Sequence, residues 1–347
     1  MINMKKILVV GATYIDNFGD MLFAKMIADA LDEKCEFRYY LLSDFAQNFV
    51  GANRISNFDL NVADALVYMP GGFLGDRHDT SLITTWRWFR RYFPIGIKFA
   101  RKKKPILFLG VGAGPCKYTI MKKIIKYVCK RSQKIIVRES DSQEFLNSIG
   151  VKSTVTSDLA QLITDYELPE MNLDFGSKKK FLIHVNQNEV ILEKIIPAIR
   201  KFYEKHKEEY SLVVASDQRC PNDYKIFDKL NTIAENDVYY YKYTDPMELC
   251  KVITKCDTVL TYKLHMGIVS CAYGKSVVAI PEHYKKVERY YKQIGYSERV
   301  LPFYLAESDS IYELIEKYHD KPITIPEKVL AAARKNYDEL DAFLRTL

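Results

Sequence analysis

Residues Lys6–Leu31 read KILVVGATYIDNFGDMLFAKMIADAL, and the order of their parts decides the fold. KILVV is a short run of aliphatic residues with no polar alternation, the pattern of a strand covered on both faces. Gly11–Asp20 follows as a turn in which Gly11 and Gly19 permit tight backbone. Asp20–Leu31 then has the apolar spacing of a helix. Strand, glycine-bearing turn and helix in that order form the repeating unit of a parallel sheet covered by helices.

Outward from this unit the pattern recurs. Strands are predicted at Glu36–Leu42, Ala65–Met69, Ile106–Leu109, Lys134–Val137 and Ser153–Thr156, with helices at Leu82–Arg101, Cys116–Lys130 and Ser142–Ile149. Periodicity lapses at 165–180, DYELPEMNLDFGSKKK, whose Pro169 and Gly176 mark an interdomain linker. It restarts with strands at Phe181–Val185, Ser211–Ala215, Val238–Tyr241, Thr258–Thr261 and Ser276–Ile280. Asp245 before Pro246, with Glu248 beyond, signals a helix start. Pro326 opens a last helix with Val329, Leu330, Ala333, Tyr337, Leu340 and Leu344 on one stripe. The expected architecture is α/β: two Rossmann-like, doubly wound lobes at 1–164 and 181–305, with C-terminal helices over 306–347. This is a glycosyltransferase-B-like layout, whose ligands lie where the carboxyl edges of two sheets face each other.

Composition bounds the function. The 347 residues exceed what one core usually serves, and 48% hydrophobic with 27% charged residues is globular usage. The chain lacks the roughly 18–20 uninterrupted apolar residues of a membrane span, and MINMKKILVV is too short in apolar core for a secretory signal. Seven scattered cysteines without a Cys-x-x-Cys pair fit a reducing cytoplasm and argue against disulfides or zinc. No metal and no cofactor is expected. Charge is uneven: residues 80–138 hold sixteen Lys and Arg and no Asp or Glu, so the remainder sums to −9 against a net charge of +7. Such a block attracts an anion: substrate phosphate, membrane surface or nucleic acid.

Five strand exits carry chemistry-bearing residues. GATYIDNFGD contributes Asn17 and Asp20 beside a helix start suited to anions, or Asp20 serves only the helix dipole. It lacks G-x-G-x-x-G, which argues against a nicotinamide dinucleotide site. MPGGFLGDRHD brings Gly71, Gly72, Asp76, Arg77 and His78, a ligand loop or a solvated one. GVGAGP brings Gly112 and Gly114. VRESDS places Arg138 where its guanidinium could grip a carboxylate or phosphate, or pair with Glu139 or Asp141. TYKLHMG puts Lys263, Leu264 and His265 at a strand-to-helix turn, and Lys286 follows at the next edge.

Together these pieces resemble the polysaccharide pyruvyl transferase family. Its N-x-G-D appears as Asn17–Asp20, its triple-glycine loop as Pro70-Gly71-Gly72, and its G-x-G-x-G-P turn as Gly110–Pro115. V-R-[DE]-x-x-S is Val137–Ser142, D-[PL]-A is Asp158-Leu159-Ala160, R-L-H is Lys263-Leu264-His265, and Y-x-x-K is His283–Lys286. Three positions depart from the pattern: Pro70, His283 and Lys263. Lysine brings the charge of arginine to the turn without its bidentate fork.

The resemblance implies transfer of a pyruvyl group from phosphoenolpyruvate to a sugar of a cell-surface polysaccharide or its lipid-linked precursor, with release of phosphate. Arg138, Lys263, Leu264, Lys286, Gly112 and Gly114 would bind the donor, on the side of the second lobe. Asn17, Gly71, Gly72, Arg77 and His78 would bind the acceptor, on the side of the first. His265 would act as general acid or phosphate-holding imidazolium, and Asp20 or Asp76 as base. A lipid-linked acceptor fits Thr84–Lys104, where Trp86, Trp88, Phe89, Tyr92 and Phe93 mix with eight basic residues in a helix suited to an anionic membrane or to a solvated basic face. Rival readings are a nucleotide-sugar glycosyltransferase and a non-catalytic glycan-binding or scaffold protein. Nucleic-acid binding fits the charge but has no motif.

Overall fold

The computed structural model describes residues 4–14, 16–51, 61–76, 81–218 and 225–347, apart from the side chain of Tyr284. The chain divides into two compact units, one of Met1–Asp16, Asp20–Leu159 and Lys328–Leu347, the other of Asn17–Gly19 and Ala160–Glu327.

The first unit is built on β1 (Lys6–Val10), α1 (Phe18–Leu31), β2 (Glu36–Tyr40), α2 (Asp44–Val50), β3 (Ala65–Tyr68) and β4 (Gly71–Leu74). It continues with α3 (Leu82–Arg101), β5 (Ile106–Ala113), α4 (Thr119–Cys129), β6 (Lys134–Val137), α5 (Ser140–Ser148) and β7 (Thr154–Val155). Strand order is β2-β1-β3-β5-β6-β7, with β4 added onto β5, and every pairing is parallel. Val9 stands opposite Tyr39 on one side and Val67 on the other. The winding reverses between β1 and β3, so their exits, at Gly11 and at Pro70, flank a topological switch point.

Two local expectations change. Gly71 and Gly72 form a strand rather than a turn, and β5 runs past Leu109 to Ala113. The reason lies at Gly110, whose φ of +59° lets the strand take an irregularity and continue. Helix α3 forms as predicted. It buries Phe89, Tyr92, Phe93, Gly96 and Phe99 on one face, and Ser81 caps its start by accepting from the amide of Thr84.

The second unit contains β8 (Lys179–His184), α6 (Glu189–His206), β9 (Tyr210–Ala215), α7 (Lys225–Ala234), β10 (Val238–Tyr241) and α8 (Pro246–Thr254). Then come β11 (Thr258–Thr261), α9 (Leu264–Ala272), β12 (Ser276–Ala279), α10 (Tyr284–Ile294) and α11 (Ser308–Tyr318). The parallel sheet has order β10-β9-β8-β11-β12, so its switch point falls between β8 and β11, where Thr261 stands opposite His184. Asp245 caps α8 as the sequence indicates, accepting from the amides of Met247 at 2.7 Å and Glu248 at 3.2 Å.

The final helix, α12 (Glu327–Leu344), groups with the first unit. It buries Val329, Ala333, Leu340 and Phe343 together with one amide, Asn336. Among the described residues no helix is long and apolar enough to cross a membrane.

Candidate functional site

The second sheet's switch point brings together Lys263, Asp217 and His184. β11 ends at Thr261, and the chain turns through Tyr262 and Lys263 into α9, leaving the first-turn amides of that helix at the sheet's carboxyl edge. The Lys263 ammonium lies 2.6 Å from Asp217 Oδ1, on the loop after β9. His184, the last residue of β8, brings Nε2 to 3.4 Å from the same oxygen, and its Nδ1 lies 2.9 Å from Thr261 Oγ1. Burial alone would raise the pKa of Asp217, but Lys263 and His184 overcome that and hold it well below the ordinary carboxylate range. Burial lowers the pKa of His184, and Asp217 offsets only part of this. Burial also opposes the charge on Lys263, yet Asp217 keeps that pKa above its usual value. The result is a paired ammonium and carboxylate beside a neutral imidazole.

The N-x-G-D segment closes on this cluster. Asn17 pairs with Gln218 as an antiparallel bridge, and the Phe18 amide donates to the Asp217 carbonyl at 2.9 Å. Asn17 Oδ1 accepts from the Gly19 amide at 3.1 Å, fixing the first turn of α1. Gly19 faces His265 so closely that a Cβ there would overlap the ring at Nδ1. Two motifs some 240 residues apart in the chain are therefore in direct contact within this unit. Leu264 opens α9, and Lys286 stands in the first turn of α10, which packs on α9.

In the first unit a second cluster joins three motif pieces. Arg138, at the exit of β6, is buried; its Nε donates to Glu139 at 3.0 Å and its Nη1 to Asp158 at 2.9 Å. Burial would lower the guanidinium's pKa, but the two carboxylates keep it above its usual value. Arg138 thus pairs with Glu139 and with Asp158 of the D-L-A element. Gly112 leaves the space the guanidinium fills, since a Cβ there would come within 3.2 Å of Nη2. Ser142 completes the network by accepting from the Ala113 amide at 2.7 Å and donating to Glu139.

The remaining candidates are dispersed. Asp76 is tied to the end of the GVGAGP turn, where its carboxylate accepts from the Lys117 amide and the Cys116 thiol, so it braces that turn. Gly114 lies in the same turn. Asp20 is half-buried in the first turn of α1, and Gly71 and Gly72 lie on β4. Arg77 and His78 lie outside the described residues. Sequence reasoning missed His184 and Asp217. A histidine closing the apolar strand KKFLIH, and an aspartate two residues beyond VVA, were their signals.

Two all-parallel α/β units of this kind define a glycosyltransferase-B-like class of protein. Solved structures agree in fold. The MnaA protein of S. aureus, solved with UDP, matches at 14% identity and TM-score 0.67 over 99% of this chain and 98% of its own. The 2-epimerase from Listeria monocytogenes, described as a putative UDP-N-acetylglucosamine 2-epimerase, matches at 12% and 0.67 over 99% and 98%. Anabaena HepE in complex with UDP-glucose matches at 13% and 0.55 over 99% and 100%. Among curated proteins, no sequence matches. The family model for polysaccharide pyruvyl transferase matches residues 17–284, and the chain belongs to that family. It is accordingly a transferase of polysaccharide biosynthesis.

Proposed function

We propose that the chain transfers the pyruvyl group of phosphoenolpyruvate to two hydroxyls of one sugar in a cell-surface polysaccharide or its lipid-linked precursor. The observation that carries this reading is the Lys263-Leu264-His265 turn at the second sheet's switch point, with Gly19 seated against His265. Two carbon–oxygen bonds form at the donor's central carbon and its bond to the phosphate oxygen breaks. Its methylene carbon gains one proton to become a methyl group; the second hydroxyl's proton leaves with phosphate or solvent.

His265 supplies the proton to the methylene carbon, or holds the departing phosphate as an imidazolium. Because Asp217 neutralises Lys263, the anion is met chiefly by the amides opening α9, by His265 and by Lys286. Arg138, held by Glu139 and Asp158, keeps its assignment to donor binding together with Gly112 and Gly114. Asp20 or Asp76 accepts the hydroxyl proton, and Asp76 also braces the turn at Cys116 and Lys117. Asn17, Gly71, Gly72, Arg77 and His78 are assigned to the acceptor. The protein works in the cytoplasm, peripherally at the inner membrane face, and 84–104 contacts anionic lipid there.

Phosphoenolpyruvate at 100 times its dissociation constant should stabilise the protein by about 2.7 kcal/mol. His265→Ala should abolish phosphate release while leaving the melting temperature unchanged. A second reading, a nucleotide-sugar donor, is favoured by the neighbours solved with UDP and UDP-glucose. Stabilisation by UDP-sugars and not by phosphoenolpyruvate would replace the first reading with the second.

A further inference from the structure

We infer that the paired helices α3 and α4 form a docking face for an anionic lipid bilayer, ending in a pocket for a phosphate headgroup. This deepens the membrane contact proposed above and rests on it, adding a second helix, a pocket and a lipid class.

The two helices pack side by side. Along α3 the exposed positions Ile83, Arg87, Arg90 and Arg101 recur at helical spacing, so they share one face about 30 Å long. On α4 the exposed positions Ile120, Lys123 and Lys130 do the same. At the start of the helices the face is apolar: Leu82, Ile83, Trp86 and Ile120 are 49%, 64%, 44% and 52% exposed. At their ends lies a pocket of about 610 Å³ lined by Arg101, Lys103, Lys104, Lys130 and Arg131. The Arg131 guanidinium is fixed there, 3.9 Å over the Tyr127 ring and donating to the Tyr127 carbonyl at 3.2 Å. Residues 80–138 contain no carboxylate side chain, so neither helix offsets these charges from within.

Cations at helix ends complement the dipole, which accounts for Arg101 and Lys130. It does not account for Arg87 and Arg90, which stand well before the last turn of α3. Nor does it account for aliphatic side chains and a tryptophan standing in water beside them. A bilayer accounts for both: anionic phosphates meet the arginines and lysines, and Trp86 and Ile83 enter the interface. A nucleic-acid backbone would use the cations and leave the apolar tip unsatisfied.

The test is co-sedimentation of the full chain with vesicles of phosphatidylcholine alone or mixed with phosphatidylglycerol. Mixed vesicles should bind at least tenfold better at low salt, with the advantage shrinking at high salt. Reversing Arg101, Lys130 and Arg131 to Glu should cost on the order of a hundredfold, at roughly tenfold or less per charge. Trp86→Ala, at an exposed position that should not disturb folding, should weaken binding at both salt concentrations. Equal binding to both vesicle types, or charge-reversed protein binding like wild type, would overturn the inference. So would binding of duplex DNA through the same cations, or stabilisation by pyrophosphate, without vesicle binding. Phosphoenolpyruvate stabilisation measured on the same proteins separates the two readings. Its absence in wild type sinks the donor assignment alone, and its persistence in variants that lose vesicles shows that only docking was removed.

Discussion

Asp217 does three things with one residue. Its carboxylate meets Lys263 and faces His184, while its carbonyl takes the Phe18 amide that starts α1. A buried carboxylate of this kind is tolerated because its partners are already in place, and removing it leaves an ammonium without compensation. Asp217→Ala should therefore cost about 3 kcal/mol of unfolding free energy, read by denaturant titration. His184 gives the pH signature. Its pKa in the folded chain is depressed below the ordinary 6.5, so below that pH the unfolded chain takes up the proton first. Stability should fall as pH drops from 7 to 5, at a slope of at most about 1.4 kcal/mol per pH unit from this residue. Asp217 is lowered from 3.8, so its contribution is lost only below that value and does not confuse this window. His184→Gln should flatten the slope between pH 7 and 5. An unchanged slope in the variant would remove His184 from the account.

At the scale of elements, periodicity made most of the fold legible. Helix α3 and strands β1, β6, β10 and β11 stand where apolar spacing places them, because helix-covered parallel strands read as short unbroken apolar runs. What stayed illegible depends on distant partners. Gly71–Leu74 is a strand only because β5 runs far enough to pair with it, and glycine pairs otherwise read as turns. In the last helix, the stripe of Val329, Ala333 and Leu340 was visible, but Asn336 was not, since a buried amide carries no apolar signal. Its Nδ2 donates to the carbonyls of Ser157 at 3.0 Å and Ala333 at 2.8 Å, and its Oδ1 accepts from Thr156 at 3.1 Å. Asn336→Leu should cost about 1–3 kcal/mol, because the partners stay buried while their hydrogen bonds are lost. Gly19→Ala should act differently, since its methyl group would press on His265. The ring must move, so unfolding free energy should fall by about 1–3 kcal/mol and phosphoenolpyruvate stabilisation should be lost with it; retained phosphoenolpyruvate stabilisation would make Gly19 merely structural.

For the whole molecule, the candidate site is less legible than the fold because its members meet only through topology. His184 and Thr261 are 77 residues apart and Lys263 and Asp217 are 46 apart, yet one parallel sheet brings all four to one edge. Motif order pointed to Lys263 and His265; the histidine closing KKFLIH and the aspartate after VVA were visible, but nothing local tied them to Lys263. The division into two units also yields a test that needs no acceptor sugar. If the turn before α9 binds the donor, phosphoenolpyruvate should slow amide exchange around Ser216–Gln218 and Lys263–Gly267. At 100 times its dissociation constant the slowing should be about a hundredfold where exchange requires the site to open. Strand β10, at the far edge of the same sheet, should change little. Anionic vesicles should do the reverse, protecting exposed amides at the ends of α3 and α4 and leaving α9 as it was. Protection by phosphoenolpyruvate confined to the first unit would move the donor away from Lys263 and His265, and with it the assignment of His265 as the acid.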